Sequence, residues 1–138
     1  MRPTYYIARH VMGNPVRGTA LVANEGFSAR YDLDRIRGIF SRPEHKLAGQ
    51  SYSDRILVLD TAKGGVASAW MLYEMASRNM VPLALVFNSV NPIMAQGAAH
   101  AGLPMLAGFD CDITGELVNG DELEVDPPGR VLRVIRRE

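Results

Sequence analysis

Arg55-Ile-Leu-Val-Leu-Asp60-Thr-Ala-Lys63-Gly64-Gly65-Val-Ala-Ser68 is the stretch whose reading decides the fold. Past Arg55 the run to Leu59 is continuously apolar, the mark of a strand buried on both faces. The polar and glycine-rich residues from Asp60 to Gly65 read as a loop. From Val66 to Asn79 the sequence turns helical, and Val66, Ala69, Trp70, Tyr73 and Ala76 form an apolar stripe at helical spacing. Pro82-Leu-Ala-Leu-Val-Phe87 repeats the buried-strand pattern. Asn91-Pro92 opens a second helix, with Asn as cap and Pro at the first helical position, and Gly102 and Pro104 end it. Leu103 to Ala107 is a short third strand. Strand-helix-strand-helix-strand order implies an α/β fold with a parallel sheet and right-handed crossovers.

The flanks read differently. Tyr5 to Val11 and Val16 to Val22 are rich in β-branched and aromatic residues, and Met12-Gly13-Asn14-Pro15 between them is a turn signal. The stretch from Ala23 to Ser53 is polar and irregular, long enough to require short strands or a function of its own. Toward the C-terminus, Leu117-Val118, the turn Asn119-Gly120-Asp121 and Leu123-Glu124-Val125 suggest a short β excursion, and Arg130 to Ile135 a last strand. The expected architecture is a central parallel sheet with at least two helices, wrapped by antiparallel β elements from both ends. With 138 residues, a single domain over positions 1–138 is expected.

Charge and composition exclude several functions. Fifteen basic and fifteen acidic side chains cancel, so no broad field draws the chain to nucleic acid or an anionic membrane, and neither is expected as a partner. The arginines between Arg130 and Arg137 alternate with Val131, Leu132, Val134 and Ile135, the pattern of a strand with one solvated edge. No apolar run approaches the roughly 20 residues that span a bilayer, and the start lacks a secretory apolar core. One cysteine, Cys111, allows no intrachain disulfide and cannot alone supply the three or four ligands of a zinc or iron–sulfur site. A cytoplasmic location and no cofactor bound by this chain alone are the expectations.

The turn Lys63-Gly64-Gly65 leading to Ser68 is the strongest local signal for a ligand. It joins a buried strand to a helix N-terminus, where free N–H groups and the helix dipole favour an anion. Gly64 and Gly65 permit close backbone approach, and Lys63 adds a point charge. It is neither a Walker A loop nor a G-x-G-x-x-G fingerprint. A tight structural turn with an exposed lysine is the competing reading. Ser28-Ala-Arg30 offers a hydroxyl and a guanidinium against the alternative of a plain surface loop. His10, His45 and His100 show no ligand spacing and read as structural. No nucleophile elbow, zinc motif or Cys/His pair is present.

Taken together, these segments resemble the small, swivelling domain of the aconitase X family. Ala20-Leu-Val-Ala-Asn-Glu-Gly-Phe-Ser28-Ala-Arg30-Tyr-Asp-Leu-Asp34 is similar to the family's ALV..EP.SFWGGVD, keeping Ser28 and Asp34. Gly38 to Ser51 is similar to G.I.D..HPL.GES, keeping His45, Gly49 and Ser51. Pro82 to Pro104, Thr114-Gly115 and Gly120-Asp-Glu-Leu-Glu-Val-Asp126 agree as well. The resemblance implies a swivelling β/β/α fold and a role as the small subunit of a hydro-lyase, inactive without a large aconitase X subunit. That heterodimer partner would carry iron or an iron–sulfur cluster. It also implies dehydration of a small hydroxy-acid substrate such as cis-3-hydroxy-L-proline or phosphomevalonate, at a site closed by this domain, with a serine as base.

The turn departs from that pattern. Where the family has G-R/K-G-S-S-x-x-S, this chain has Lys63-Gly64-Gly65-Val66-Ala67-Ser68, so only Ser68 remains as a candidate catalytic hydroxyl. Glycine cannot act as a base. Lys63, Gly64, Gly65, Ser28 and Arg30 are the expected substrate-binding residues, with Arg30 an added carboxylate clamp. A non-catalytic regulatory or substrate-binding subunit, or a subunit of a related isomerase, stands as the alternative.

Overall fold

The computed structural model describes residues 3–27, 33–34, 36–62 and 66–137. Its centre is the expected βαβαβ run. β3 (Val16–Val22), β7 (Arg55–Ala62), β8 (Ala84–Ser89) and β9 (Met105–Ala107) lie side by side and parallel, in that order, with α1 (Val66–Ser77) and α2 (Pro92–His100) as crossovers.

Alternation along these strands separates two cores. Ile56 and Val58 of β7, Ala84 and Val86 of β8 and Leu106 of β9 face one way; Leu57, Leu59, Leu85, Phe87, Met105 and Ala107 face the other. Both sets are buried, which is why the strands read as continuous apolar runs. The second set packs under α1, α2 and the 33–52 region through Leu72, Met75, Ala98, Phe40 and Tyr52.

The first set fills a closed barrel. β10 (Glu122–Asp126) pairs antiparallel with β3, β11 (Val131–Arg136) with β10, and β1 (Tyr5–Ile7) with β11. β2 (His10–Met12) pairs with β9 at the opposite end of the strand order. Only Ala8 and Arg9 separate β1 from β2, and they stitch the two ends together: Ala8 N–H donates to Arg130 O at 2.9 Å and Arg9 N–H to Gly108 O at 2.8 Å. The expected strand from Tyr5 to Val11 is thus two strands, one on each side of the closure. α3 (Ile113–Glu116) stoppers the barrel with Ile113 and Leu117.

Three local expectations are corrected. β7 continues through Asp60, Thr61 and Ala62, which were read as loop; it does so because β4 (Gly26–Phe27) pairs with its last residues. In α1 the described buried side chains are Leu72 and Met75, while Trp70 and Tyr73 are 68% and 50% exposed. The helix is apolar on nearly every side, so periodicity could not choose its face. Residues 117–118 form no strand; the hairpin is β10–β11, closed by residues 127–130. The irregular region contributes β4 and a small sheet of β5 (Leu33–Asp34) with β6 (Ile39–Phe40). The turn at Gly13 is as expected: its φ is +94°, and a Cβ there would lie 2.6 Å from the Pro104 Cα. No helix among the described residues is long and apolar enough to cross a membrane.

Candidate functional site

The carboxyl ends of parallel strands are where open α/β sheets place ligands, because loops and helix N-termini converge there. Here that rim carries Asp60 and Thr61 of β7, Asn88 and Ser89 of β8, and Asp112 before α3. Lys63, Gly64 and Gly65 follow β7 but lie outside the described residues, as do Ser28 and Arg30. Ser68 falls in the first turn of α1.

The register of β4 on β7 bears directly on these candidates. Gly26 pairs with Thr61 and Phe27 with Ala62, in parallel. Phe27 and Ala62 are the residues immediately before Ser28 and Lys63. Two candidate segments far apart in sequence therefore follow adjacent positions at one end of the sheet.

Backbone and side-chain bonds both hold β4 there. Ala23 N–H donates to Val58 O at 3.1 Å and Asp60 N–H to Glu25 O at 2.9 Å. The 42–47 loop closes from the other side. Lys46 N–H donates to the Glu25 carboxylate at 3.0 Å, Lys46 Nζ to Asn24 O at 3.1 Å, and Arg42 stands 3.5 Å from Glu25. Chiefly the Lys46 N–H holds the Glu25 carboxyl below its ordinary range. His45, buried beside them, reaches Gly26 O through Nε2 at 3.1 Å.

A polar network ties the rim to the barrel stopper. The Asn88 amide donates to Asp60 Oδ1 at 2.9 Å and to Asp112 Oδ1 at 2.8 Å, while its carbonyl accepts from Ile113 N–H at 2.8 Å. Asp112 caps α3 by accepting from Thr114 N–H at 3.1 Å, and also accepts from Thr114 Oγ1 at 2.6 Å and Asn24 Nδ2 at 3.1 Å. Chiefly the Thr114 hydroxyl, then the Asn88 amide, lowers the Asp112 carboxyl below its usual value. On the opposite side of the same strands Ser89 Oγ donates to Thr61 Oγ1 at 3.1 Å. This set of acceptors and hydroxyls can fix the geometry of a rim that receives a polar ligand.

Sequence reasoning missed Asp60, Asn88 and Asp112. Asn88 had a signal, a polar residue breaking an apolar strand, and Asp112-Ile-Thr-Gly115 is a cap-like sequence. Their meeting depends on the parallel register, which no local pattern reveals. Among the described residues no three His, Cys, Asp or Glu side chains form a metal ligand set, and Cys111 is exposed. Partial desolvation of this exposed side chain, then the Glu116, Asp110 and Asp112 charges, raises its thiol.

Comparison with known proteins agrees with this architecture. The aconitase X swivel domain model matches residues 5–134. The phosphomevalonate dehydratase small subunit of Thermococcus sibiricus is 32% identical over 86% of this chain and 88% of its own length. That of Methanopyrus kandleri is 30% identical over 85% and 87%. The crystal structure of Thermococcus kodakaraensis aconitase X in its holo form superposes with a TM-score of 0.89 at 25% identity, covering 97% of this chain and 100% of that one. The swivelling α/β fold expected from the sequence is the one found, and the chain belongs to the aconitase X swivel-domain family as the small subunit of an aconitase X-type hydro-lyase.

Proposed function

We propose that this chain completes the active site of a dehydratase by closing its strand-end rim over a small hydroxy acid held by a large aconitase X subunit. The observation that supports the reading is the β4–β7 register, which pairs Phe27 with Ala62, the residues that precede Ser28 and Lys63 in the sequence. Lys63, the Gly64-Gly65 backbone and the N-terminus of α1 suit a substrate carboxylate, and Arg30 suits a second anionic group. The named relatives support a phosphorylated hydroxy acid, phosphomevalonate, as the first substrate to test. cis-3-Hydroxy-L-proline, a hydroxy acid without a phosphoryl group, is the second.

Dehydration removes a proton beside a carboxylate and expels hydroxide from the neighbouring carbon. Ser68 is this chain's candidate for accepting or positioning the proton, because Gly65 stands where the family has a serine. An iron or iron–sulfur centre in the large subunit would supply the Lewis acid that helps the hydroxide depart. The described residues of this chain offer no ligand set for such a centre.

Co-purification with the large subunit, followed by a hydroxy-acid panel, tests the reading. Water loss from one member supports it; an intact, metal-loaded complex inert across the panel refutes it. The missing serine at Gly65 favours a second reading, a regulatory or substrate-binding subunit. Under it, Lys63→Ala, Ser68→Ala and Gly65→Ser all leave turnover of the complex unchanged. Product analysis separates dehydration from isomerisation.

A further inference from the structure

His45 is a buried titratable side chain on the loop that packs against β4. It is 3% exposed, and its ring stacks on Phe40 with centroids 4.7 Å apart and planes at 27°. Leu47 N–H donates to Nδ1 at 3.1 Å, so that nitrogen is an acceptor and carries no proton. Nε2 then carries the hydrogen and donates it to Gly26 O at 3.1 Å. One neutral tautomer thus joins the 45–47 turn to β4. An imidazolium, with two donors and no acceptor, could not accept from Leu47.

β4 depends on such external support. It has two residues, and among the described residues its one strand partner is β7. Its neighbouring contacts through Lys46 are exposed to solvent, where water competes with them, whereas the His45 ring is buried. Glu25, Arg42 and Lys46 are the charged groups gathered around the same loop.

We propose that His45 is a positioning residue: it clamps Gly26 of β4 beside Thr61 of β7 and so fixes the strand-end rim at Asp60 and Thr61. It acts through β4 rather than on the substrate, and the kinetic part of its test rests on the dehydratase reading.

His45→Asn and His45→Gln test it in the full chain and in the complex. Asparagine can still accept from Leu47 N–H but cannot reach Gly26; glutamine can extend a donor to Gly26. In His45→Asn, kcat of the complex falls about tenfold, the scale of one net hydrogen bond. Exchange of the Asp60 amide accelerates while β8 and β9 keep wild-type protection. His45→Gln recovers both. Ring nitrogen NMR of the wild-type full chain at neutral pH shows the Nε2–H tautomer. A folded His45→Asn complex with unchanged kcat overturns the proposal. So does an even loss of protection across the sheet, or an Nδ1–H tautomer. If the wild-type complex dehydrates nothing, the dehydratase reading fails separately, and exchange and ring NMR still decide the clamp.

Discussion

The two halves of the barrel solve different problems with the same strand geometry. β7, β8 and β9 are buried on both faces, one set of side chains under α1 and α2 and the other inside the barrel. β10 buries one face only, and β11 does so beyond its first residue, Val131: Leu123, Val125 and Leu132 point inward, while Glu124 and Arg133 meet outside at 2.8 Å. The doubly covered half ends in loops and helix starts, and there the polar rim sits. The singly covered half closes the barrel and exposes charge. The proposed site lies on the half whose strands are fixed from both sides, which suits a ligand rim that needs positions set to within fractions of an ångström.

Substitutions should separate the halves sharply. Phe87→Ala empties a fully buried site beneath the helices and should cost about 3–5 kcal/mol in denaturant unfolding. A loss below 1 kcal/mol would mean the helix layer is loosely packed. Gly13→Ala meets both a positive φ and the Pro104 backbone, and should cost about 2–3 kcal/mol at the seam between β2 and β3. Asn88→Ala strips donors from two carboxylates at once and should cost about 1–3 kcal/mol, with faster amide exchange in α3.

The Asp112 prediction concerns pH. Its carboxyl is lowered in the folded chain, so its contribution to stability is present above the ordinary carboxylate range and is lost as pH falls through the lowered value. Melting curves of wild type and Asp112→Asn should differ most near neutral pH and converge in acid. A gap that is constant with pH contradicts the network. Smallest of all, Glu124→Ala on the singly covered half should change stability by less than about 1 kcal/mol, because its partner Arg133 is exposed and the pair is screened.

Much of this contrast was legible in the residues. Ile56 to Leu59 and Leu83 to Phe87 announce doubly buried strands by lacking alternation; Glu122 to Asp126 announces a half-solvated one by having it. What was hidden depends on distant pairing. Tyr5 to Val11 looks like one strand, and only the partners β11 and β9 divide it between two edges. Trp70 and Tyr73 look like a core stripe because α1 is apolar all round, and only the position of the sheet selects Leu72 and Met75. The Lys63 turn and Ser28-Ala-Arg30 were visible as separate candidates, whereas their common origin required the β4–β7 register. His45 betrays nothing locally, since its partner Gly26 lies in another segment.

That common origin is tested most directly by a double-mutant cycle on the complex with the large subunit, reading kcat/KM for Arg30→Ala, Lys63→Ala and the pair. If both segments serve one substrate, each single change lowers kcat/KM by about tenfold or more and the double falls short of their product, a coupling of at least ~0.5 kcal/mol. Single variants with unchanged kcat/KM, or losses that multiply as independent effects, contradict a shared site.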